Sequence, residues 1–288
     1  MDDSGPSRTA LATAFARAYH QIVDSPRILT DPYAARILGV TPAELSAMGE
    51  RSDDDPGGGA MRRPRRLFFA ARARVAEDRV AAAWELGVRQ VVVLGAGMDT
   101  FALRNPYAGL RVFEVDHPAT QAWKRRRLAE ADMVVPETVT YVPVDFETDL
   151  LAGELESAGM SRADPAVFVW LGVVYYLTAD AVDATLDYIA GQARPSEVVF
   201  DYLQPPAGDE DASRLRERAD RLAAAGEPWF SYFTPADLRA KLAGLGFGDV
   251  DDRSAAEVID EYTSGTGDVQ TDDPQALRAS RIVSAVKR

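Results

Sequence analysis

The stretch Val91-Val92-Val93-Leu94-Gly95-Ala96-Gly97-Met98-Asp99-Thr100 decides how this chain is read. A β-branched apolar run without alternation is a strand buried on both faces, as in a parallel sheet. Glycines directly after it allow a tight turn and let another molecule approach the backbone. Working outward, short apolar runs recur at 111–115, 139–142, 166–171, 197–202, 247–250 and 281–286. Helical patterns separate them at 118–133, 179–193, 212–225 and 235–245. Strands alternating with helices predict an α/β fold, a doubly wound, mostly parallel, seven-stranded Rossmann-like sheet. The last two strands follow polar or Gly-rich turns and are expected to supply an antiparallel edge.

Upstream, Ala10, Leu11, Ala14, Phe15, Ala18, Tyr19 and Ile22 repeat at helical spacing, predicting a helix over 8–23. Asp31-Pro32-Tyr33 opens a second, short helix, and a long one follows over 65–86 with Gly87 as its stop. Between them, 51–59 (RSDDDPGGG) reads as a solvated loop that can belong to a lid. The expected division is a helical extension over 1–87, covering the site, and a sheet domain over 88–288.

Composition narrows the chemistry. With 288 residues the chain can bury a sizeable core, and 47% hydrophobic with 27% charged residues is ordinary for a globular protein. A net charge of −13 argues against a nucleic-acid partner, since that affinity comes from Lys and Arg on phosphates. The dense arginines at 62–66 and 124–127 read as solvated surface. No cysteine and only 2 histidines leave no thiolate chemistry and no multi-histidine metal site. No run approaches the ~18 apolar residues of a membrane span, so a cytoplasmic protein is expected. Lysine is confined to Lys124, Lys241 and Lys287 while Arg and Ala abound, pointing to a GC-rich bacterial source.

In open α/β sheets ligands bind beyond the carboxyl ends of the strands, at the switch in strand order. The second strand ends on Asp116, about 20 residues past the glycine turn, where an acid accepts from ribose hydroxyls. Gly95, Ala96, Gly97 and Asp116 therefore predict a nucleoside cofactor. A dinucleotide fingerprint wants a third glycine where Thr100 stands, and Asp99 puts a negative charge where pyrophosphate would lie. S-adenosyl-L-methionine carries a sulfonium and an ammonium and no phosphate, so the charges favour it; a nicotinamide-dependent oxidoreductase is the alternative. Asp99 serves equally as a cap of the following turn. Asp145 beside Phe146, after the third strand, suits the exocyclic amine and the face of an adenine. The aromatic exit of the fourth strand, with Trp170, Tyr175 and Tyr176, suits a dry pocket for a small-molecule substrate.

These residues together resemble the leucine carboxyl methyltransferase family. The likeness runs from Ser7-Arg8-Thr9-Ala10 through Ala71-Arg72-Ala73-Arg74, Leu94 to Thr100, Glu114 to Pro118 and Val142 to Asp145, ending at Trp170 to Leu177. It implies methyl transfer to an oxygen. It also implies that Arg72, or failing it Arg74, pairs with the cofactor's carboxylate. Many relatives carry a glutamate where this chain has Leu171, which removes one carboxylate near the cofactor's ammonium and leaves a cofactor-binding protein without methyl transfer as a further alternative. A carboxylate acceptor is ionised at neutral pH and needs only docking, for which Arg8 and Arg17 are candidates with Tyr176 beside them. A hydroxyl acceptor needs a base, and His117, His20, Tyr175 and Tyr176 are the candidates. A small-molecule O-methylation of secondary metabolism is the resulting expectation.

Overall fold

The computed structural model describes residues 7–53, 59–146, 149–206, 208–224, 226–263 and 277–288. β1 (Gln90–Leu94) is buried along its whole length and pairs in parallel with β2 (Arg111–Asp116) on one side and β4 (Ala166–Trp170) on the other. β3 (Val139–Pro143) extends the sheet beyond β2, and β5 (Ser196–Leu203) extends it beyond β4. The 7-stranded order is β3-β2-β1-β4-β5-β7-β6, with β6 at Asp249–Ser254 and β7 at Ser280–Lys287. The order reverses between β1 and β4, which places the glycine turn at the switch point. β7 lies one place in from the edge and runs antiparallel to both β5 and β6.

Alternation along each strand divides the core. Val91 and Val93 face a cluster with α4 (Arg63–Glu85) and α11 (Ala255–Thr263). Val92 and Leu94 face a second, with α8 (Ala179–Ala190) and α10 (Pro235–Gly244). A third cluster joins α1 (Arg8–Val23), α2 (Ala34–Leu38) and α3 (Pro42–Asp53) to Met98 of the glycine turn and to Leu128 of α6 (Pro118–Glu130). The N-terminal helices thus rest on the end of the sheet that carries the turn. None of the described helices is long and apolar enough to cross a membrane.

The structure corrects several local expectations. α3 continues through Asp53, so the loop expected from Arg51 starts later, and 54–58 lie outside the described residues. Four helices lie where the sequence pattern predicts none: α3 itself, α5 (Phe101–Arg104), α7 (Leu151–Ser157) and α11. α7 buries only Leu155 and contains Gly153, so it shows no apolar stripe. β6 begins at Asp249, two residues after the expected start at Phe247. Its sequence DVDDRS is polar because it is a half-exposed edge, while Phe247 is a buried anchor before it.

Candidate active site

A cleft of about 490 Å³ opens over the carboxyl ends of β1, β2 and β4. Its floor is the glycine turn. Gly95 and Gly97 have φ of 66° and 48°, and a Cβ on Gly95 would stand 2.2 Å from Val173 Cγ2. A side chain there would collide with the cleft wall, so glycine is required by both backbone and space.

Asp116 lines the cleft from the end of β2. Its Oδ2 accepts from the Gly97 amide, and its Oδ1 accepts from His117 N at 2.7 Å. Burial raises its pKa, and those two amides act against the rise. Asp145 and Phe146 line the same cleft past β3. His117 caps α6, its Nδ1 accepting from Ala119 N at 3.3 Å, and its Nε2 lies 4.0 Å from Asp145.

Arg72 reaches the cleft from α4. Its Nη1 donates to Asp201 Oδ2 at 2.6 Å, and the other oxygen of Asp201 accepts from Gly172 N at 2.6 Å. Burial disfavours the Arg72 charge, and its interactions with Asp201, the foremost, and Tyr175 together outweigh this and raise its pKa. Gly172 has φ 77°, and a Cβ there would lie 3.0 Å from Arg72 Nη2, so its bareness makes room for the guanidinium. Leu171, the preceding residue, gives the cleft an apolar wall.

Arg17 crosses from α1 to the floor, donating to Met98 O at 2.6 Å and pairing with Asp31 at 3.5 Å and Asp99 at 3.8 Å. Asp99 also accepts from Phe101 N at 2.6 Å, the cap contact foreseen for it. Burial works to raise the Asp99 pKa, but Arg17, Arg104 and Lys124 outweigh it and hold the carboxyl ionised. A fixed negative charge therefore sits beside the turn, hostile to a pyrophosphate.

The opposite wall is formed by α1, the 3-10 turn Val174–Tyr176 and the chain at 226–230. Tyr176 lines it and donates to Thr9 Oγ1 at 3.0 Å. Tyr175 is buried behind it, outside the cleft lining. Burial raises the pKa of both phenols. Arg8 is exposed and Arg74 pairs with Asp78 on the outer face of α4, so neither lines the cleft. His20 is fully buried; its Nδ1 bonds Asp24 at 2.7 Å, while its Nε2 accepts from Ile28 N at 3.1 Å. It staples α1 to the loop after it and does not face the cleft.

Residues 10–190 match the family described as leucine carboxyl methyltransferase. The chain belongs to the leucine carboxyl methyltransferase family. Over 100% of both chains it is 30% identical to a Bacillus subtilis (strain 168) protein named "Putative S-adenosyl-L-methionine-dependent methyltransferase YktD". A protein of Mycobacterium sp. (strain KMS) with the same description is 33% identical over 99% of this chain and 97% of its own. Among solved structures, a "putative methyltransferase" from Thermobifida fusca YX shares the fold with a TM-score of 0.60 and 16% identity, covering 100% of this chain and 97% of its own. A DUF574 family protein from Streptomyces avermitilis shares it with a TM-score of 0.56 and 19% identity, covering 95% and 97%.

This leucine carboxyl methyltransferase family member is an S-adenosyl-L-methionine-dependent enzyme, and the cleft suits that cofactor. The bare turn leaves room for a ligand to approach the backbone, and Asp116 and Arg72 bring an acid and a cation to the same cleft. The nicotinamide reading falls with this assignment. Two site residues escaped the sequence reading. Asp201 was legible in principle, as a carboxylate inside an apolar, fully buried strand must have a partner. Glu227 carries no such signal, because it lies in an irregular segment. Its carboxylate accepts from Ser7 Oγ at 2.6 Å, from Thr9 N at 3.1 Å and from the Thr9 hydroxyl, closing the start of α1 over the cleft.

Proposed function

We propose that this enzyme methylates the carboxylate of a small acid, forming a methyl ester. The observation that carries the reading is the state of the phenols at the acceptor wall. Tyr175 and Tyr176 are the aromatic hydroxyls near the cleft, and burial drives both pKa values upward, so they stay protonated at neutral pH and cannot take a proton. His117 is committed to the start of α6, and Glu227 to the start of α1. A hydroxyl acceptor would lack a base among the described residues of this wall, whereas a carboxylate arrives ionised.

When bound, S-adenosyl-L-methionine supplies a methyl already activated on a sulfonium. The protein then has to orient and to exclude water. Arg17 and Glu227 pull α1 down onto the turn and across the opening. Leu171, Val173, Tyr176 and Phe230 give the acceptor region an apolar lining. Alignment of this kind contributes about 7–11 kcal/mol of barrier lowering. A cleft of about 490 Å³ is in the range of small-molecule sites and supports an acceptor of that class. The Arg- and Ala-rich composition and the bacterial relatives support a bacterial source.

The test is transfer of a labelled methyl from the cofactor to a panel of small acids and matched alcohols. The expected product releases its label as methanol in mild alkali, as an ester does. A label that survives alkali would refute carboxyl methylation.

A further inference from the structure

Phe230 stands exposed on the acceptor wall. It is 55% exposed, and it lines the cleft. The other large apolar side chains left exposed among the described residues, Leu86 and Val134 for example, do not line it. Its place is fixed by the backbone. Phe230 N donates to Tyr175 O at 2.8 Å and Ser231 Oγ to Val174 O at 2.8 Å, which pins this segment to the 3-10 turn. Leu171, Val173, Leu177 and Pro228 line the same cleft with it. A single exposed phenyl on a surface is ordinary. One pinned at an apolar cleft is surface for a ligand to cover.

The polar groups of this wall satisfy one another. Tyr176 donates to Thr9 Oγ1 at 3.0 Å, and the hydroxyls of Ser7 and Thr9 both donate to Glu227. Thr13, one turn further along α1, is the hydroxyl here that no neighbour engages among the described residues. A ligand therefore meets mainly carbon. Charge adds a second restriction. The guanidiniums of the cleft already have partners, Arg17 in Asp31 and Asp99 and Arg72 in Asp201, while the Glu227 carboxylate lines the wall itself. The reacting carboxylate of an acceptor is answered by the sulfonium whose methyl it takes. A second carboxylate would face Glu227 with no free cation beside it.

We infer that the acceptor is a monocarboxylic acid with an extended apolar body, and that this body crosses Phe230. The inference rests on the carboxyl-methylation reading above and names its substrate class. Binding strength then comes from the body and not from a docking cation. Phe230 is the residue that sets how much body is rewarded.

The test titrates the full chain, loaded with S-adenosylhomocysteine, with butanoate, hexanoate, octanoate and decanoate by calorimetry. Affinity should rise about 4-fold for each methylene that reaches the wall. Octanedioate should bind at least about 10-fold more weakly than octanoate, the effect of an unanswered like charge. Phe230→Ser should flatten the rise with S-adenosylhomocysteine affinity unchanged, and Leu86→Ser, exposed away from the cleft, should leave the rise intact. Affinity that is flat with length overturns the inference. So does a rise that survives in Phe230→Ser, or octanedioate binding as tightly as octanoate. A rise shared equally by hexanol and octanol, together with an alkali-stable product, refutes esterification and upholds the apolar wall. A flat series beside an alkali-labile product refutes the apolar body and upholds esterification.

Discussion

At the residue scale the site turns on Asp116. Its two oxygens are oriented by the amides of Gly97 and His117, so the carboxylate is held in one position at the cleft. Asp116→Ala should weaken S-adenosylhomocysteine binding by about 10- to 100-fold, the loss of hydrogen bonds to a charged acceptor. Calorimetric titration measures it, and unchanged affinity would remove Asp116 from the site. The same residue gives a pH signature. Because burial raises its pKa, it takes up a proton at a higher pH than an ordinary aspartate, and the protonated form has lost an acceptor. Cofactor affinity should therefore begin to fall above the usual aspartate range of about 3.9 as the solution is acidified. In the Ala variant the remaining affinity should not show that fall.

At the scale of elements, the contact that closes the cleft is the one between Glu227 and the start of α1. Replacing Glu227 by Ala strands the Thr9 amide and the hydroxyls of Ser7 and Thr9. Local opening of the first turn of α1 should become easier by roughly 1–3 kcal/mol, with the rest of the fold unaffected. Hydrogen exchange should show faster exchange at residues 9–12 and unaltered protection in β1 and β4. Equal acceleration in both regions would mean that Glu227 supports the whole fold and not the lid.

That contact also marks where sequence reading stops. The glycine turn, Asp116 and Asp145 were legible because each follows its own strand within a few residues, and the parallel sheet sets where strand ends go. Glu227 meets Thr9 across 218 residues and Asp201 meets Arg72 across 129, pairings that no local pattern encodes. The short helices α5 and α7 bury too little to leave a periodic stripe. The polar edge strand β6 was displaced toward Phe247 for the same reason: apolar content was read as strand, and here it marks an anchor.

For the whole molecule, α1 is tied partly through Asp24 to α4, the helix that packs on the sheet. Burial works to raise its pKa, but hydrogen bonds from His20 and Arg66 outweigh this and lower it to about 2. A depressed carboxyl adds stability that is present above its unfolded value near 3.9 and is lost as pH falls through about 2. Asp24→Asn should cost on the order of 2 kcal/mol at pH 7, measured by urea denaturation. The gap to the wild type should narrow as the pH drops below about 4. A gap independent of pH would show that Asp24 acts through packing alone.

One cleft, over the carboxyl ends of β1, β2 and β4, is the expected seat of S-adenosyl-L-methionine. A crystal structure with S-adenosylhomocysteine tests this most directly. It should show the ribose hydroxyls on Asp116, the adenine between Asp145 and Phe146, the amino-acid carboxylate on Arg72 and the sulfur turned toward the Tyr176 wall. A ligand bound elsewhere, or one that leaves Asp116 and Arg72 without contact, would contradict it.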